Sequence, residues 1–272
     1  MKFGLIIIGD EILSGRRQDQ HLAKAISLLG ARGLQLAYAH YVGDDPARIT
    51  ATLAQAFASG DVVFSFGGIG ATPDDHTRQC AAAAWGRALL LHPTARDLIT
   101  ERMQDMARTQ GVPFDAHSPE NLHRLNMGVF PEGADIIPNP YNKIPGFRCV
   151  TGASVDGPAV HFLPGFPVMA WPMLEWVLDT HYPATFAPGS WAEHSVIVPG
   201  VMESTLTPLM EQLEQAHPVK VFSLPSVDHP QYGRHIELGV KGAPAAAQTA
   251  FDAMLAALGG MGIALGPVMV RN

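Results

Sequence analysis

The chain contains very little cysteine. Only Cys80 and Cys149 occur among its 272 residues, and they form no CxxC pair. Two separated cysteines cannot build a disulfide framework or a four-thiolate zinc site. The sequence therefore favours a protein of a reducing compartment, and we expect a cytoplasmic location.

Positive charge and long apolar runs are also scarce. Lys and Arg number 18 against 25 Asp and Glu, and the pI is near 5.9. A protein that binds nucleic acid concentrates cationic side chains to neutralise phosphates. No segment has the roughly 18 consecutive apolar residues of a membrane-spanning helix, and the apolar run Met1–Ile8 leads directly into Gly9, Asp10 and Glu11. We therefore expect neither a nucleic acid nor a membrane as partner.

Several catalytic signatures are missing as well. The 12 histidines show no HxH or HExxH spacing, and no GxSxG sequence occurs. These spacings are typical of metal-binding histidine pairs and of the nucleophilic serine of acyl-transfer enzymes. The sequence therefore gives no support to a histidine-bound zinc site or to acyl transfer.

Short apolar segments alternate with segments of helical period in the first two thirds of the chain. Such alternation is typical of βαβ units and predicts an α/β fold with a mostly parallel sheet. The predicted strands are 3–8, 34–42, 62–66 and 160–163. The predicted helices are 19–29, 46–59, 77–85, 93–110, 119–127 and 168–181, and Asp45 is the predicted N-cap of the second. We expect the helices to cover both faces of the sheet, in a three-layer α/β/α sandwich.

A second, smaller domain is predicted after residue 191. Segment 183–191 contains two prolines and a glycine without apolar periodicity, which is typical of a linker, so the first domain is 1–182. The predicted order over 192–272 is strand, helix, strand, strand, helix and a short tail. That order indicates a small α+β domain of split βαβ type.

The glycine-rich segment Gly67–Thr77 follows a predicted strand and precedes a predicted helix. Glycines let backbone amides approach an anion closely, and the helix N-terminus favours negative charge, so the segment can bind a phosphate. Asp74 and Asp75 would repel that phosphate unless a divalent cation lay between them. The alternative interpretation is a tight turn that leads into an acidic helix cap.

Two further acidic segments follow the first two strands, Gly9–Gly15 and Val42–Pro46. Ligands of parallel α/β sheets bind beyond the carboxyl ends of the strands, so these segments can meet the glycine-rich loop at one site. Asp10, Glu11, Asp74 and Asp75 could then share a metal, with Asp44 facing the same crevice. Ser14 and Gly15 could offer a hydroxyl and an amide to a phosphate. A surface or helix-capping role for Asp10 and Glu11 is the alternative.

In this order, the three segments resemble the N-terminal domain of the CinA (competence/damage-inducible protein A) family, within the MoaB/Mog molybdopterin-binding-like superfamily. The resemblance continues through most of the chain, including Pro131–Ala134, Pro138–Pro140, Pro145–Phe147, Leu163–Pro167 and Met202–Ser204.

The resemblance implies a MoaB/Mog-like core and divalent-metal-dependent hydrolysis of ADP-ribose or related dinucleotides such as FAD, with Mg²⁺, Mn²⁺ or Co²⁺. By motif match, the catalytic positions are Asp10, Asp44 and Asp75, and the metal positions are Asp10, Asp74 and Asp75. The phosphate-binding positions are Ser14, Gly15, Gly67, Gly68, Gly70, Thr72 and Thr77. We expect a stand-alone form without the C-terminal domain that deamidates nicotinamide mononucleotide in longer members.

Two departures leave other functions open. Asp19-Gln20-His21 stands where the family shows Asp-Thr-Asn, and Val168-Met169-Ala170 lacks the family's glutamate. The alternatives are a molybdopterin- or nucleotide-binding protein without turnover and a molybdopterin adenylyltransferase of molybdenum cofactor synthesis. Relatives with this core often form oligomers, so a homo-oligomer is expected.

Overall fold

The first apolar segments of the chain become neighbouring strands in the computed structural model, which describes residues 1–152, 154 and 157–271. Four parallel strands lie in the spatial order β2-β1-β3-β8: β1 (Phe3–Ile8), β2 (Leu36–Val42), β3 (Val62–Phe66) and β8 (Ala159–Leu163). Two antiparallel strands extend the sheet beyond β8: β7 (Gly146–Val150) and β6 (Asp135–Ile137). The predicted mostly parallel sheet is confirmed.

Helices cover both faces of this sheet. They are α1 (Asp10–Leu13), α2 (His21–Gly30), α3 (Pro46–Ala58), α4 (Thr77–Trp85), α5 (Pro93–Gln110), α6 (Pro119–Leu125) and α7 (Pro167–His181). Alternate side chains of β1 face opposite layers: Leu5 and Ile7 pack with α2 and α7, and Ile6 packs with α3 and α4. The predicted three-layer arrangement is therefore confirmed.

Local sequence explains where these helices begin. Asp45 caps α3, because its Oδ1 accepts a hydrogen bond of 2.8 Å from the amide of Arg48, and Pro46 occupies the first turn. The N-cap predicted at Asp45 is thus confirmed. The sequence predicts loop with short strands over 130–147, where β5 (Val129–Pro131), β6 and β7 lie. It predicts no strand at β4 (Leu89–Leu91), which pairs with β5, since three residues are too few for a periodic signal.

The chain divides between Phe186 and Ala187, inside the segment 183–191 that the sequence predicts as a linker. The second unit contains β9 (Ala192–Pro199), α8 (Glu203–Ala216), β10 (Val219–His229), β11 (Gly233–Gly242), α9 (Pro244–Gly260) and β12 (Val268–Arg271). Its strands are antiparallel in the order β10-β11-β9-β12, which is the split βαβ arrangement. Among the described residues of the whole chain, no helix is both long and apolar enough to cross a membrane.

The prediction of a tail after α9 is wrong, because β12 adds a fourth strand to this sheet. Val268 pairs with Val196 of β9, and Arg271 at the strand end binds Glu193 at 2.6 Å and Glu237 at 2.8 Å. A four-residue edge strand shows too little alternation to be recognised in the sequence.

The core of the first unit predicts a large cost for removing Phe147. Its ring is fully buried and stacks on Phe162 and Phe130 with centroids 4.3 and 4.6 Å apart. Phe147→Ala should lower the free energy of unfolding by about 3–5 kcal/mol because it leaves a cavity. Leu122→Ala, at a side chain that is 50% exposed, is the control and should change it by less than about 0.5 kcal/mol. Urea denaturation measures both, and equal losses would contradict this account of the core.

Candidate functional site

The parallel strands place four loops at one edge of the sheet. β1, β2, β3 and β8 all end there, so the segments after Ile8, Val42, Phe66 and Leu163 are neighbours. These segments line a cavity of about 720 Å³. Ligand sites of such sheets lie beyond the carboxyl ends of the strands, and this cavity has the position that the sequence predicts.

The loop after β3 is shaped by backbone packing at Gly67. Gly67 has φ 100° and Gly68 has φ 67°, a region that favours glycine. The Gly67 amide donates to the Leu163 carbonyl at 3.0 Å, and a Cβ at this position would collide with the Ile8 carbonyl oxygen. The loop can therefore take this path only with glycine at residue 67.

Thr77 fastens the other end of the same loop. Its hydroxyl donates to the Gly67 carbonyl at 3.0 Å, and its amide donates to the Gly68 carbonyl at 3.0 Å. The side chain is fully buried. Thr77 thus stabilises the loop from the protein interior, whereas the sequence predicted that it contacts a phosphate.

The central part of the loop presents unused backbone donors. Gly68, Ile69 and Gly70 line the cavity. Within the described part of the chain, none of their three amides donates a hydrogen bond to another protein atom. Consecutive unpaired amides at a concave surface are suited to bind an anion.

Asp75 closes the loop on its C-terminal side. Its Oδ2 accepts hydrogen bonds from the amide of Thr72 at 2.8 Å and from the Thr72 hydroxyl at 2.5 Å. The buried Arg78 adds a bond of 2.6 Å to the Gly70 carbonyl. Asp75 lines the cavity, but one of its carboxylate oxygens already stabilises the loop.

Asp10 and Asp44 form a reciprocal pair across the ends of β1 and β2. The Asp10 amide donates to Asp44 Oδ2 at 3.0 Å, and the Asp44 amide donates to Asp10 Oδ1 at 3.1 Å. Burial raises the pKa of the Asp44 carboxyl. The hydrogen bond from the Asp10 amide lowers this pKa, but the negative charges of Asp10, Glu11 and Asp74 raise it further. The structure thus brings together four of the acidic side chains that the sequence singled out.

The predicted positions divide into two groups. Those in the cavity wall are Asp44, Gly67, Gly68, Gly70, Thr72, Asp74 and Asp75. Those outside it are Asp10, Ser14, Gly15 and Thr77. In the described ranges, no three His, Cys, Asp or Glu side chains are arranged so that they alone could hold a metal ion.

Sequence reasoning missed several residues of the wall. Arg16 and Arg17 follow the first acidic motif and line the cavity, as do Asn139, Asn142 and Phe166. The two arginines are adjacent to a recognised motif, which was a usable signal. Asn139 and Phe166 lie in two segments of the family resemblance, 138–140 and 163–167, but only the fold reveals that they and Asn142 line the cavity.

His21 supports this wall from beneath. Its ring stacks on Phe66 with centroids 4.4 Å apart, and its Nε2 lies 3.1 Å from the Gly165 carbonyl, to which the neutral ring donates. Burial lowers the pKa of His21, while the Gly165 bond and the charge of Asp19 oppose that effect. His21 therefore acts as a neutral hydrogen-bond donor to the loop after β8.

The family comparison agrees with this geometry. The family described as "Probable molybdopterin binding domain" matches residues 4–184, which include all four loops of the cavity. The chain belongs to this molybdopterin binding domain family. The family resemblance and the fold class that the sequence predicts are thereby confirmed.

Similar proteins extend the comparison. A protein of Pyrobaculum calidifontis is 30% identical over 255 residues, which cover 92% of each chain. A CinA-like protein of Anaeromyxobacter sp. (strain K) is 32% identical over 179 residues, which are 65% of this chain and 40% of that relative. The crystal structure of CinA from Thermoplasma acidophilum, described as of unknown function, matches with a TM-score of 0.55 and 28% identity, and covers 66% of this chain and 98% of its own.

Packing at Gly67 predicts that a methyl group is not tolerated there. Gly67→Ala should lower the free energy of unfolding by about 3 kcal/mol, because it adds a clash with the Ile8 carbonyl to an unfavourable φ. Gly60→Ala is the matched control, since Gly60 also has positive φ (71°) but no atom lies within 4 Å of its built Cβ. It should cost only about 1 kcal/mol. Equal losses in thermal or urea unfolding would contradict the packing argument.

The lowered pKa of His21 predicts a pH effect on stability. Because the folded-state pKa lies below the unfolded value near 6.5, protonation favours unfolding. The contribution of His21 is complete above that pH and is lost as the pH falls below it. His21→Gln keeps an amide donor for Gly165 but cannot titrate. Between about pH 7.5 and pH 5, the wild-type protein should lose more unfolding free energy than His21→Gln, and parallel profiles would exclude this role.

Proposed function

We propose that the chain binds a nucleotide-like pyrophosphate in this cavity and hydrolyses it with the help of a divalent cation, with ADP-ribose or a related dinucleotide such as FAD as substrate. The observation that carries the proposal is the row of unpaired amides at Gly68, Ile69 and Gly70 beside the Asp10–Asp44 pair. The cavity of about 720 Å³ is large enough for such a ligand.

The charges of the wall suit a pyrophosphate. Arg16 and Arg17 offer positive charge to the phosphate oxygens, and the loop amides offer neutral donors. Asp44 and Asp74 would repel the same phosphates in the absence of a counter-ion. A wall that carries both positive and negative side chains therefore favours an anionic ligand that binds together with a cation.

A divalent cation that arrives with its nucleotide fits the donor set. Mg²⁺ is commonly held by one or two carboxylates, several waters and the phosphates of the substrate, so it needs no cluster of three protein ligands. Asp74 and Asp75, which line the cavity, would hold it. When bound, the cation would neutralise phosphate charge and lower the pKa of a coordinated water.

The protein's own groups can then direct hydrolysis. Asp44 lines the cavity and has a raised pKa, so it suits a general base that takes a proton from water attacking the adenylyl phosphorus. The bond to the bridging oxygen breaks, which yields AMP and ribose 5-phosphate from ADP-ribose. Asp10 orients Asp44 through their two hydrogen bonds, and the loop amides stabilise the charge that develops on the phosphate.

Binding without turnover is the second candidate. The use of Asp75 Oδ2 by Thr72 favours it, since that carboxylate then shapes the loop. The membership in a molybdopterin binding domain family favours a pterin phosphate as the bound compound. A molybdopterin adenylyltransferase would use the same cavity, and its product would be an adenylylated pterin.

The experiment follows AMP by chromatography after incubation with ADP-ribose or FAD, in Mg²⁺, Mn²⁺ or Co²⁺ and with an EDTA control. We expect metal-dependent AMP from the wild-type protein and at least about a 100-fold loss in Asp44→Asn. Asp75→Asn should also lose activity if its second oxygen serves the ligand.

Asp45→Asn is the matched control. Asp45 is adjacent to Asp44 but caps α3 and lies outside the cavity wall, and asparagine caps equally well. This variant should keep wild-type turnover. Absence of AMP with every cation would reject hydrolysis. Calorimetric titration with AMP and a pterin phosphate would then test the binding role, and a pterin-dependent adenylyl product from ATP would indicate the transferase.

A further inference from the structure

Phe166 is a large apolar side chain that stays uncovered in the cavity wall. It is 57% exposed, although it directly precedes α7, whose Ala170, Met173 and Leu174 are fully buried. In the described residues, no other aromatic ring packs against it. Phe166 is therefore an exposed aromatic residue that lines the cavity.

The backbone around Phe166 is held firmly. The Phe166 carbonyl accepts hydrogen bonds from the amides of Met169 at 3.0 Å and Ala170 at 2.9 Å. The preceding carbonyl, of Gly165, accepts the bond from His21 Nε2. Prolines at 164 and 167 restrict the chain on both sides. The backbone that carries the ring therefore loses little conformational entropy when the ring binds a partner.

The cavity that Phe166 lines has apolar residues as well as the phosphate-binding loop in its wall. Met127, Ile144 and Pro145 line the cavity. Gly165 packs on the loop, because a Cβ built there would lie 3.5 Å from the Gly67 Cα. Phe166 directly follows Gly165, which contacts the glycine loop. An aromatic residue thus lies beside the phosphate-binding loop, which matches a ligand with a phosphate and a flat heterocycle.

We propose that Phe166 determines ligand specificity by stacking on the planar nitrogen heterocycle, adenine or pterin, of a phosphate compound whose phosphate lies on the Gly68–Gly70 amides. This inference rests on the proposed function and adds the recognition of the ring. Stacking between a base and an aromatic side chain is favourable for any flat heterocycle, so the contact selects ring-bearing phosphates over ring-free ones.

The test compares ligands with and without the ring. Calorimetric titration measures AMP and ribose 5-phosphate against the wild type, Phe166→Leu and Phe166→Trp. Phe166→Leu keeps an apolar side chain but removes the ring, and should weaken AMP binding about tenfold while ribose 5-phosphate binding stays unchanged. Phe166→Trp should retain AMP binding.

Tyr141→Leu is the matched control. Tyr141 is another exposed aromatic residue, at 61%, but its side chain lies outside the cavity wall. Its variant should bind AMP like the wild type. Neopterin phosphate distinguishes the two sources of the ring, because a greater Phe166→Leu effect on that compound than on AMP would identify a pterin as the preferred partner.

Two other outcomes are decisive. If the wild type binds AMP and Phe166→Leu binds it equally well, or loses AMP and ribose 5-phosphate to the same extent, the stacking role is overturned while the proposed function stands. If the wild type binds neither these three phosphates nor ADP-ribose, with or without Mg²⁺, the proposed function fails and the role of Phe166 fails with it.

Discussion

Gly67 directly follows β3, and its backbone is packed against the ends of β1 and β8. Its amide binds the Leu163 carbonyl, its carbonyl accepts the Thr77 hydroxyl, and its Cα faces the Ile8 carbonyl and Gly165. The next three residues line the cavity, and among the described residues their amides donate to no other protein atom. Any side chain at residue 67 would separate the strand ends and displace those donors. The position of the loop and the chemistry of the cavity therefore depend on a glycine at residue 67.

Charge around the cavity shows a second constraint. The reciprocal hydrogen bonds of Asp10 and Asp44 hold two like charges close together, and Asp74 and Glu11 add to the field that raises the pKa of Asp44. Such an arrangement costs stability in the free protein, because like charges repel more strongly when partly removed from water. Backbone amides at each carboxylate offset part of that cost. Acidic pairs kept under repulsion are typical of sites where a cation or a proton is exchanged during function.

The apolar side of the cavity depends on the helix layer. α7 packs its buried residues on the sheet, and the Met169 and Ala170 amides of its first turn donate to the Phe166 carbonyl. His21, at the start of α2, connects that helix to the loop after β8 through its bond to Gly165 and to β3 through its stacking on Phe66. A polar loop and an apolar wall thus meet at one edge because the same strands support both.

The sequence alone determined the α/β order, the mostly parallel sheet, the glycine loop and the acidic segments after β1 and β2, because periodicity and turn residues are local signals. It missed β4 and β12 and gave no bounds for the short strands β5, β6 and β7, because three to five residues carry too little pattern and depend on partner strands. Only the tertiary structure decided what each site residue does. Thr77 is buried beneath the loop, Asp75 is bonded to Thr72, and Arg16 and Phe166 face the cavity. A residue's role in a site depends on which distant segments it meets, and that is set by the packing of the sheet and its helices rather than by neighbours in the chain.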